Sequence, residues 1–190
     1  MKVQMHGIEL ASRSNGPGLR AAIWFQGCTL HCFGCFNPET HDPTSGFVME
    51  TQDLAHMIHS SNLPLEGISI SGGEPFQQSE ALYDFLTQVD RSKLSVLVFT
   101  GYTLDEVKRI PLGLQILTMA DALIAGRYQP NQPSNFALLG SSNQKIHLLT
   151  NRYRISDFAS IPHSEVILHK DGTITITGVH PLKAHGATHE

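Results

Sequence analysis

The sequence is poor in cysteine, in basic residues and in long apolar runs. It holds three cysteines among 190 residues, and 13 Lys and Arg against 17 Asp and Glu, for a net charge of −4. This charge gives no basic surface for nucleic acid or an anionic membrane. No apolar run approaches the roughly 18 residues that cross a bilayer, and no charged start leads into an apolar signal region. We therefore expect one cytoplasmic domain, without nucleic acid or membrane as a partner.

The three cysteines stand close together, as Cys28, Cys32 and Cys35. The spacing C-x3-C-x2-C lets three thiolates face one centre, either on a helix or in a loop. An odd number so closely spaced cannot pair internally, so disulfides explain them least well. Zinc would need a fourth ligand, for which His31 or His41 is available. A 4Fe-4S cluster normally has four cysteine ligands, so three would leave one iron open to a substrate or cofactor.

The sequence alternates apolar strands with helices. Strands are predicted at 1–10, 20–26, 67–71, 94–100, 122–125 and 145–149. Helices are predicted at 51–61, 79–89, 103–109 and 111–119. Several strands run directly into a glycine turn, and the order of strand, turn and helix predicts a parallel sheet with right-handed crossovers. Too few units are present to close an eightfold barrel of about 250 residues, so we expect an α/β fold with a partial, open (β/α) barrel.

The end of the chain follows a different pattern. We expect residues 1–150 to form the core and residues 151–190 a C-terminal extension. A β-hairpin is predicted over 165–177, because alternating apolar residues flank Asp171-Gly172. Residues 180–190 are predicted to be frayed, with three solvated histidines.

One glycine turn stands out, the segment Ser71-Gly72-Gly73-Glu74-Pro75 after the strand at 67–71. A double glycine after a strand is commonly a simple turn, but it also lets a ligand approach the backbone closely. The backbone carbonyls and the Glu74 carboxylate are acceptors that suit an ammonium group. Pro75 then fixes the exit of the turn.

Together, the cysteine motif and this glycine turn resemble those of the radical S-adenosylmethionine enzymes. Within that superfamily the chain is similar to the activating proteins of glycyl radical enzymes, and most of all to those of anaerobic (class III) ribonucleotide reductase. Five further segments fall in the order that this subgroup shows: Asn15–Arg20, Cys35–Asn37, Thr100–Leu104, Gly126–Tyr128 and Gly140–Gln144.

The resemblance implies a 4Fe-4S cluster on Cys28, Cys32 and Cys35, with S-adenosylmethionine at the open iron. The reduced cluster would cleave that cofactor to a 5′-deoxyadenosyl radical, which takes hydrogen from a glycine of a large partner enzyme. The electron would come from a low-potential donor such as flavodoxin or ferredoxin, and no side chain need act as acid or base. The residues expected to bind the cofactor are Phe36, Ser71, Gly72, Gly73, Glu74, Thr100 and Tyr102.

Two alternatives stay open at this point. The same radical chemistry could act on another glycyl radical enzyme, such as one like pyruvate formate-lyase, on a peptide, or on a small molecule, as in a 7-carboxy-7-deazaguanine synthase-like enzyme. A zinc-stabilised binding module without chemistry would explain the cysteines. It would not explain Gly72-Gly73-Glu74 after a strand, nor the buried strands.

Overall fold

The computed structural model describes residues 1–179, so the predicted frayed segment 180–190 lies outside the described residues. Nine strands are present in that part: β1 (Lys2–Ser12), β2 (Arg20–Phe25), β3 (Phe47–Glu50), β4 (Gly67–Gly72), β5 (Ser95–Thr100), β6 (Ala122–Ala125), β7 (Lys145–Leu148), β8 (Glu165–Leu168) and β9 (Ile174–Thr177). The α-helices there are α1 (Thr51–Ser60), α2 (Ser79–Gln88), α3 (Leu104–Val107) and α4 (Gly113–Met119). None of the described helices is long and apolar enough to span a bilayer.

Seven strands form one open sheet in the order β3-β1-β2-β4-β5-β6-β7. Its centre, β2-β4-β5-β6, is parallel, which confirms the predicted mixed α/β class. On either side of this centre the strands are antiparallel: β1 pairs antiparallel with β2 and with the edge strand β3, and the other edge strand, β7, pairs antiparallel with β6. The short connection between β1 and β2 explains the first reversal, since it leaves no room for a crossover helix.

The sheet is covered on both faces because the side chains of each strand alternate in direction. On one face, Val96 and Val98 of β5 belong to the apolar core that includes Leu82 and Phe85 of α2. On the opposite face, Leu97 of β5 packs in a second cluster. That cluster also holds Leu138 and, from the extension, Phe158, Ile161 and Val179. The second face is therefore closed by loops and by the extension instead of by helices.

A fully buried arginine closes the amino ends of the parallel strands. Arg20, which is 0% exposed at the start of β2, donates to the hydroxyls of Ser69, Ser95 and Tyr153 at 2.7 to 2.9 Å. It also donates to the carbonyl of Ile68 at 2.6 Å. Burial lowers the pKa of its guanidinium. Tyr153, which follows the last strand of the main sheet, thus completes the hydrogen bonding of this buried charge.

The strands β8 and β9 form an antiparallel hairpin that is separate from the main sheet. Leu168 pairs with Ile174, and Val166 pairs with Ile176. The turn between them includes Gly172, whose φ of +87° suits glycine and strains other residues.

Candidate functional site

A cleft of about 890 Å³, including the space open to solvent, lies at the carboxyl ends of the parallel strands. Gly72, Thr100 and Gly126, at or just after the ends of β4, β5 and β6, line it. Trp24 and Phe99 supply apolar wall from the strands themselves. The carboxyl edge of a parallel sheet is where ligand-binding sites are expected.

The structure brings nearly all of the predicted site residues to this cleft. Of the three cysteines and seven predicted cofactor contacts, nine line it: Cys28, Cys32, Cys35, Phe36, Ser71, Gly72, Gly73, Glu74 and Thr100. Tyr102 is outside this lining. Its ring lies under the guanidinium of Arg127 at 5.5 Å, and its hydroxyl accepts a hydrogen bond from Gln77 at 3.1 Å. A contact between Tyr102 and a cofactor stays a prediction.

The cysteines lie in an irregular loop instead of a helix. Gly27, His31 and Gly34 have φ values of +96°, +45° and +67°, which turn the chain repeatedly within a few residues. The amide of Cys28 donates to the carbonyl of His41 at 3.0 Å, and the amide of Cys35 donates to the carbonyl of Cys32 at 3.1 Å. These bonds hold the loop against the cleft, so that all three thiols reach it.

The three cysteine thiols form no disulfide, and those of Cys28 and Cys35 are held in the protonated form by their surroundings. Burial raises the pKa of the Cys28 thiol, and nearby Glu74 and the other two cysteines raise it further. Burial also raises the pKa of the Cys35 thiol. Because metal binding requires thiolates, a positively charged centre would offset these costs and release protons. The donor set of three thiols on one cleft fits an iron–sulfur cluster with one iron free of protein ligands.

The zinc arrangement is not assembled in the part of the chain that the structure describes. Among residues 1–179, no three His, Cys, Asp or Glu side chains converge closely enough to hold a single metal ion, and this includes the three cysteines. A 4Fe-4S cluster does not require such convergence, because each of its cysteine ligands binds a different iron. His31 and His41, which were available as fourth ligands, pack edge to face on one another at 5.8 Å. Neither histidine completes a compact Cys3His set within the described residues.

Glu74 is 0% exposed and accepts three hydrogen bonds from protein donors. The hydroxyl of Thr100 and the amide of Phe76 donate to Oε1 at 2.8 and 3.0 Å, and the amide of Gly101 donates to Oε2 at 2.8 Å. Burial nevertheless raises the pKa of the Glu74 carboxyl to about 7, because these bonds offset the loss of solvation only in part. The carboxylate thus joins the ends of β4 and β5 at the floor of the cleft.

The two glycines before Glu74 are required by the protein's own backbone. A Cβ on Gly72 would lie 2.4 Å from the carbonyl oxygen of Phe25, and one on Gly73 would lie 2.2 Å from that of Gly27. The amide of Glu74 donates to the same Gly27 carbonyl at 2.9 Å. From the sequence, we expected these glycines to let a ligand approach the backbone closely. In the structure, the groups that lie close to them are the backbone carbonyls of β2 and of the cysteine loop. This contact sets the cysteine loop against the glycine turn.

Another wall of the cleft is formed by two aromatic rings whose contact was not predicted from the sequence. Phe36 and Tyr128 pack edge to face at 5.3 Å, and both line the cleft. A Cβ on Gly140 would lie 2.9 Å from the Phe36 ring and 3.1 Å from the Tyr128 ring, so a glycine there makes room for the pair. These residues come from three of the segments that carried the family resemblance. Their order along the chain was the available signal, but it could not show that they touch.

The segment after β6 is fixed by a polar network. The side chains of Asn143 and Gln144 donate to the carbonyls of Arg127 and Gly126, both at 2.8 Å. Arg127 forms an ion pair with Glu106 at 2.9 Å, and the hydrogen bond from Arg127 lowers the pKa of the Glu106 carboxyl to about 2. Among the described side chains, Asn143 Oδ1 is a buried polar atom without a hydrogen-bond partner. Hydrogen bonds thus hold the segment Gly140–Gln144 against the segment Gly126–Tyr128 beside the cleft.

Sequence comparison places this arrangement in a known family. The sequence model described as a 4Fe-4S single cluster domain matches residues 14–147. The anaerobic ribonucleoside-triphosphate reductase-activating protein of Enterobacteria phage T4 is 31% identical over 139 residues, 70% of this chain and 85% of its own length. The protein of that name from Escherichia coli K12 is 31% identical over 144 residues, 71% of this chain and 92% of its own. The chain belongs to this family of reductase-activating proteins.

Membership of the activating-protein family confirms the resemblance drawn from the motifs. The family member from Vibrio cholerae is 32% identical over 145 residues, 72% of this chain and 92% of its own length. A crystal structure of QueE from Escherichia coli aligns with a TM-score of 0.46 at 17% identity, over 54% of each chain. The matched family model is described by a 4Fe-4S cluster, which favours iron–sulfur over zinc for the three cysteines.

Proposed function

We propose that this protein is an iron–sulfur activating enzyme that reductively cleaves S-adenosylmethionine and generates a glycyl radical on anaerobic ribonucleoside-triphosphate reductase. The observation that carries the proposal is the cleft itself. It gathers Cys28, Cys32 and Cys35 beside the Glu74 turn, at the carboxyl ends of parallel strands. The names of the family members supply the partner.

Cys28, Cys32 and Cys35 would hold the cluster, whose three thiolate ligands leave one iron for the cofactor. When bound, the cluster and S-adenosylmethionine supply an electron and a 5′-deoxyadenosyl radical able to abstract an unactivated hydrogen. Trp24, Phe99 and other apolar residues of the wall keep water from the reacting centre.

The remaining predicted residues would position the cofactor. The carbonyls of Ser71 and Gly72 are acceptors for its ammonium group, and the buried Glu74 keeps them in place through its bonds to Thr100 and Gly101. The edge of the Phe36 and Tyr128 pair offers an apolar surface to a planar base. None of these side chains is required to transfer a proton.

The architecture is consistent with a large substrate. We propose that the seven-stranded sheet is a partial (β/α) barrel whose cleft, at the carboxyl ends of the strands, admits a loop of the partner, with residues 1–150 as the core and 151–190 as an extension. A low-potential flavodoxin or ferredoxin would supply the electron. Three free thiols also suit the reducing cytoplasm.

Anaerobic reconstitution tests the proposal. Protein loaded with iron and sulfide should be brown and hold about four irons per chain. Reduced in the presence of S-adenosylmethionine and the anaerobic reductase encoded by the same genome, it should generate a glycyl radical signal in the EPR spectrum of that reductase. Release of 5′-deoxyadenosine without a radical on the reductase would assign the chemistry to another substrate. A colourless protein that retains zinc would contradict the radical mechanism.

A further inference from the structure

The C-terminal hairpin presents its apolar side chains to solvent. Val166, Leu168, Ile174 and Ile176 are 56%, 72%, 62% and 37% exposed. Leu168 pairs with Ile174 across the strands, and Val166 pairs with Ile176. The four therefore share one side of the hairpin, which is called here the hairpin face.

The opposite side of the hairpin is held to the core by polar contacts. The Glu165 carboxylate accepts from the amides of Arg13 and Ser14 at 3.0 and 3.2 Å. Asn15 donates to the Thr177 hydroxyl at 2.9 Å, in a contact that is buried. A two-stranded hairpin is marginal on its own in water, so these contacts fix both its position and its outward side.

This arrangement reverses the usual order of a half-buried sheet, in which the apolar side faces the core. The hairpin face exposes on the order of 400 Å², comparable with the largest apolar patch of a typical monomer, and such patches mark interaction sites. Cross-strand packing alone would not require four aliphatic residues, since opposite charges also stabilise such pairs. The outward side is therefore better explained by something that covers it.

The hairpin is continuous with the cleft. Gly178 and Val179 directly follow β9, and both line the cleft. Asn15, which holds Thr177, lines it as well. A body that inserts a loop into the cleft would therefore lie beside the hairpin face.

Surface area separates two possible occupants. A stable specific interface buries about 800 Å² per partner, roughly twice what the hairpin face offers by itself. A second copy that covered this face alone would bury less area than such an interface needs. A protein substrate that enters the cleft and also rests on the hairpin face would cover both surfaces.

We propose that the hairpin face is a docking surface for the protein substrate, and that it contacts apolar side chains next to the loop that carries the reacting glycine. The inference rests on the proposed function. The family-model match ends at residue 147, so the hairpin lies outside the matched core. It is thus an element through which this chain would select its partner.

The test replaces an apolar cross-strand pair by a charged one. Leu168→Glu combined with Ile174→Lys removes the aliphatic surface and keeps an attractive pair across the strands. With the reconstituted enzyme, we expect the reductase concentration that gives half-maximal glycyl radical formation to rise roughly tenfold. Release of 5′-deoxyadenosine without the reductase should stay as in the unaltered protein. Val166→Lys with Ile176→Glu provides a second, independent variant if the first folds poorly.

Leu114→Glu is the matched control. Leu114 is a 56% exposed aliphatic residue on α4 that does not line the cleft, and its replacement should leave the half-maximal concentration unchanged. An unchanged concentration in both double variants would overturn the docking proposal. So would a dimer of the unaltered protein that the double variants convert to monomer, since the face would then belong to a second copy. Cofactor cleavage with no radical on the reductase, even in the unaltered protein, would instead refute the proposed function and the docking surface with it.

Discussion

The two ends of the parallel strands each bury one ionisable side chain completely, Arg20 at the amino ends and Glu74 at the carboxyl ends. Burial lowers the pKa of the Arg20 guanidinium, but hydroxyls and carbonyls accept hydrogen bonds from its N–H groups and so stabilise the charged form that arginine keeps in proteins. Glu74 can lose its charge near neutral pH, since its pKa is raised to about 7. The buried charge at the amino ends thus serves stability, whereas the carboxyl ends hold a titratable group beside an open cleft.

The largest effect should come from the carboxyl end. Cys32→Ala should reduce 5′-deoxyadenosine formation and the iron content of reconstituted protein to background, because one of three thiolate ligands is lost. Unfolding of the metal-free protein should change by less than about 1 kcal/mol, since Cys32 is partly exposed. Iron analysis, visible absorbance and urea unfolding measure the three quantities.

His31→Asn is the control for that variant, because asparagine tolerates the positive φ of +45° at this position. It should retain iron and activity. Loss of metal in His31→Asn, or full iron content in Cys32→Ala, would contradict the assignment of ligands.

At the amino ends of the strands, a substitution should mainly reduce stability. Arg20→Met removes the buried hydrogen bonds that Arg20 donates to the hydroxyls of Ser69 and Ser95 and to the carbonyl of Ile68, so we expect a loss of about 3 kcal/mol in the free energy of unfolding. Urea unfolding measures it. Arg13→Met, at an exposed arginine, should change stability by no more than about 0.5 kcal/mol. Equal stability of the two variants would show that the amino end is not specially stabilised.

A pH series sharpens the comparison at Glu74. Between the ordinary carboxyl pKa of 4.5 and the folded-state value of about 7, the folded protein holds a proton that the unfolded chain has lost. The free energy of unfolding should therefore fall as pH rises through this window, by at most about 3 kcal/mol. Glu74→Gln should remove this pH dependence. It should also lower the free energy of unfolding by about 1–2 kcal/mol, because the amide N–H₂ of glutamine would then face one of the donors that now bind the carboxylate.

Urea unfolding at several pH values from 4 to 8 provides the measurement. Glu80→Gln, at an exposed position on α2, should keep the dependence of the unaltered protein. A slope that persists in Glu74→Gln would assign it to other groups.

The smallest effect is expected at the aromatic wall. In Gly140→Ala the new methyl group meets the rings of Phe36 and Tyr128 at 2.9 and 3.1 Å, so the pair must move by a few tenths of an ångström. We expect affinity for S-adenosylmethionine to fall about threefold to tenfold, as binding sites tolerate small displacements poorly. Calorimetric titration of the reconstituted protein measures it. Gly7→Ala, where a Cβ meets only Trp24 at 3.8 Å, should bind as before.

Local chemistry made much of the fold predictable from the sequence. The strand at 122–125 agrees in full, and the Thr103 and Glu106 capping box begins a helix as expected. That helix ends at Val107 instead of Arg109, and the next begins at Gly113 instead of at residue 111, since Leu112 has a left-handed φ of +62°. The strand β3 was not predicted. Its four residues show no alternation of buried and exposed positions, and their extended conformation depends on pairing with the distant strand β1.

The candidate site shows where sequence reasoning stops. Motif order identified the residues of the cleft, because the carboxyl ends of parallel strands must converge. It could not show that Gly72 is forced by the approach of Phe25, or that Gly140 accommodates two rings from elsewhere in the chain. Such contacts depend on register between distant segments, which no local pattern encodes. The sequence also did not show which side of the hairpin faces solvent. The alternation of apolar and polar residues defines two sides, but it does not tell which of them packs on the core.

Trp24 gives the protein a built-in optical reporter. It is the single indole in the sequence, and it lines the cleft together with the three cysteines. A chromophore that absorbs in the near ultraviolet and visible should quench its emission when it occupies the same space. Fluorescence in an anaerobic cuvette could therefore follow cluster assembly and loss in real time, without labels and without a background from other tryptophans.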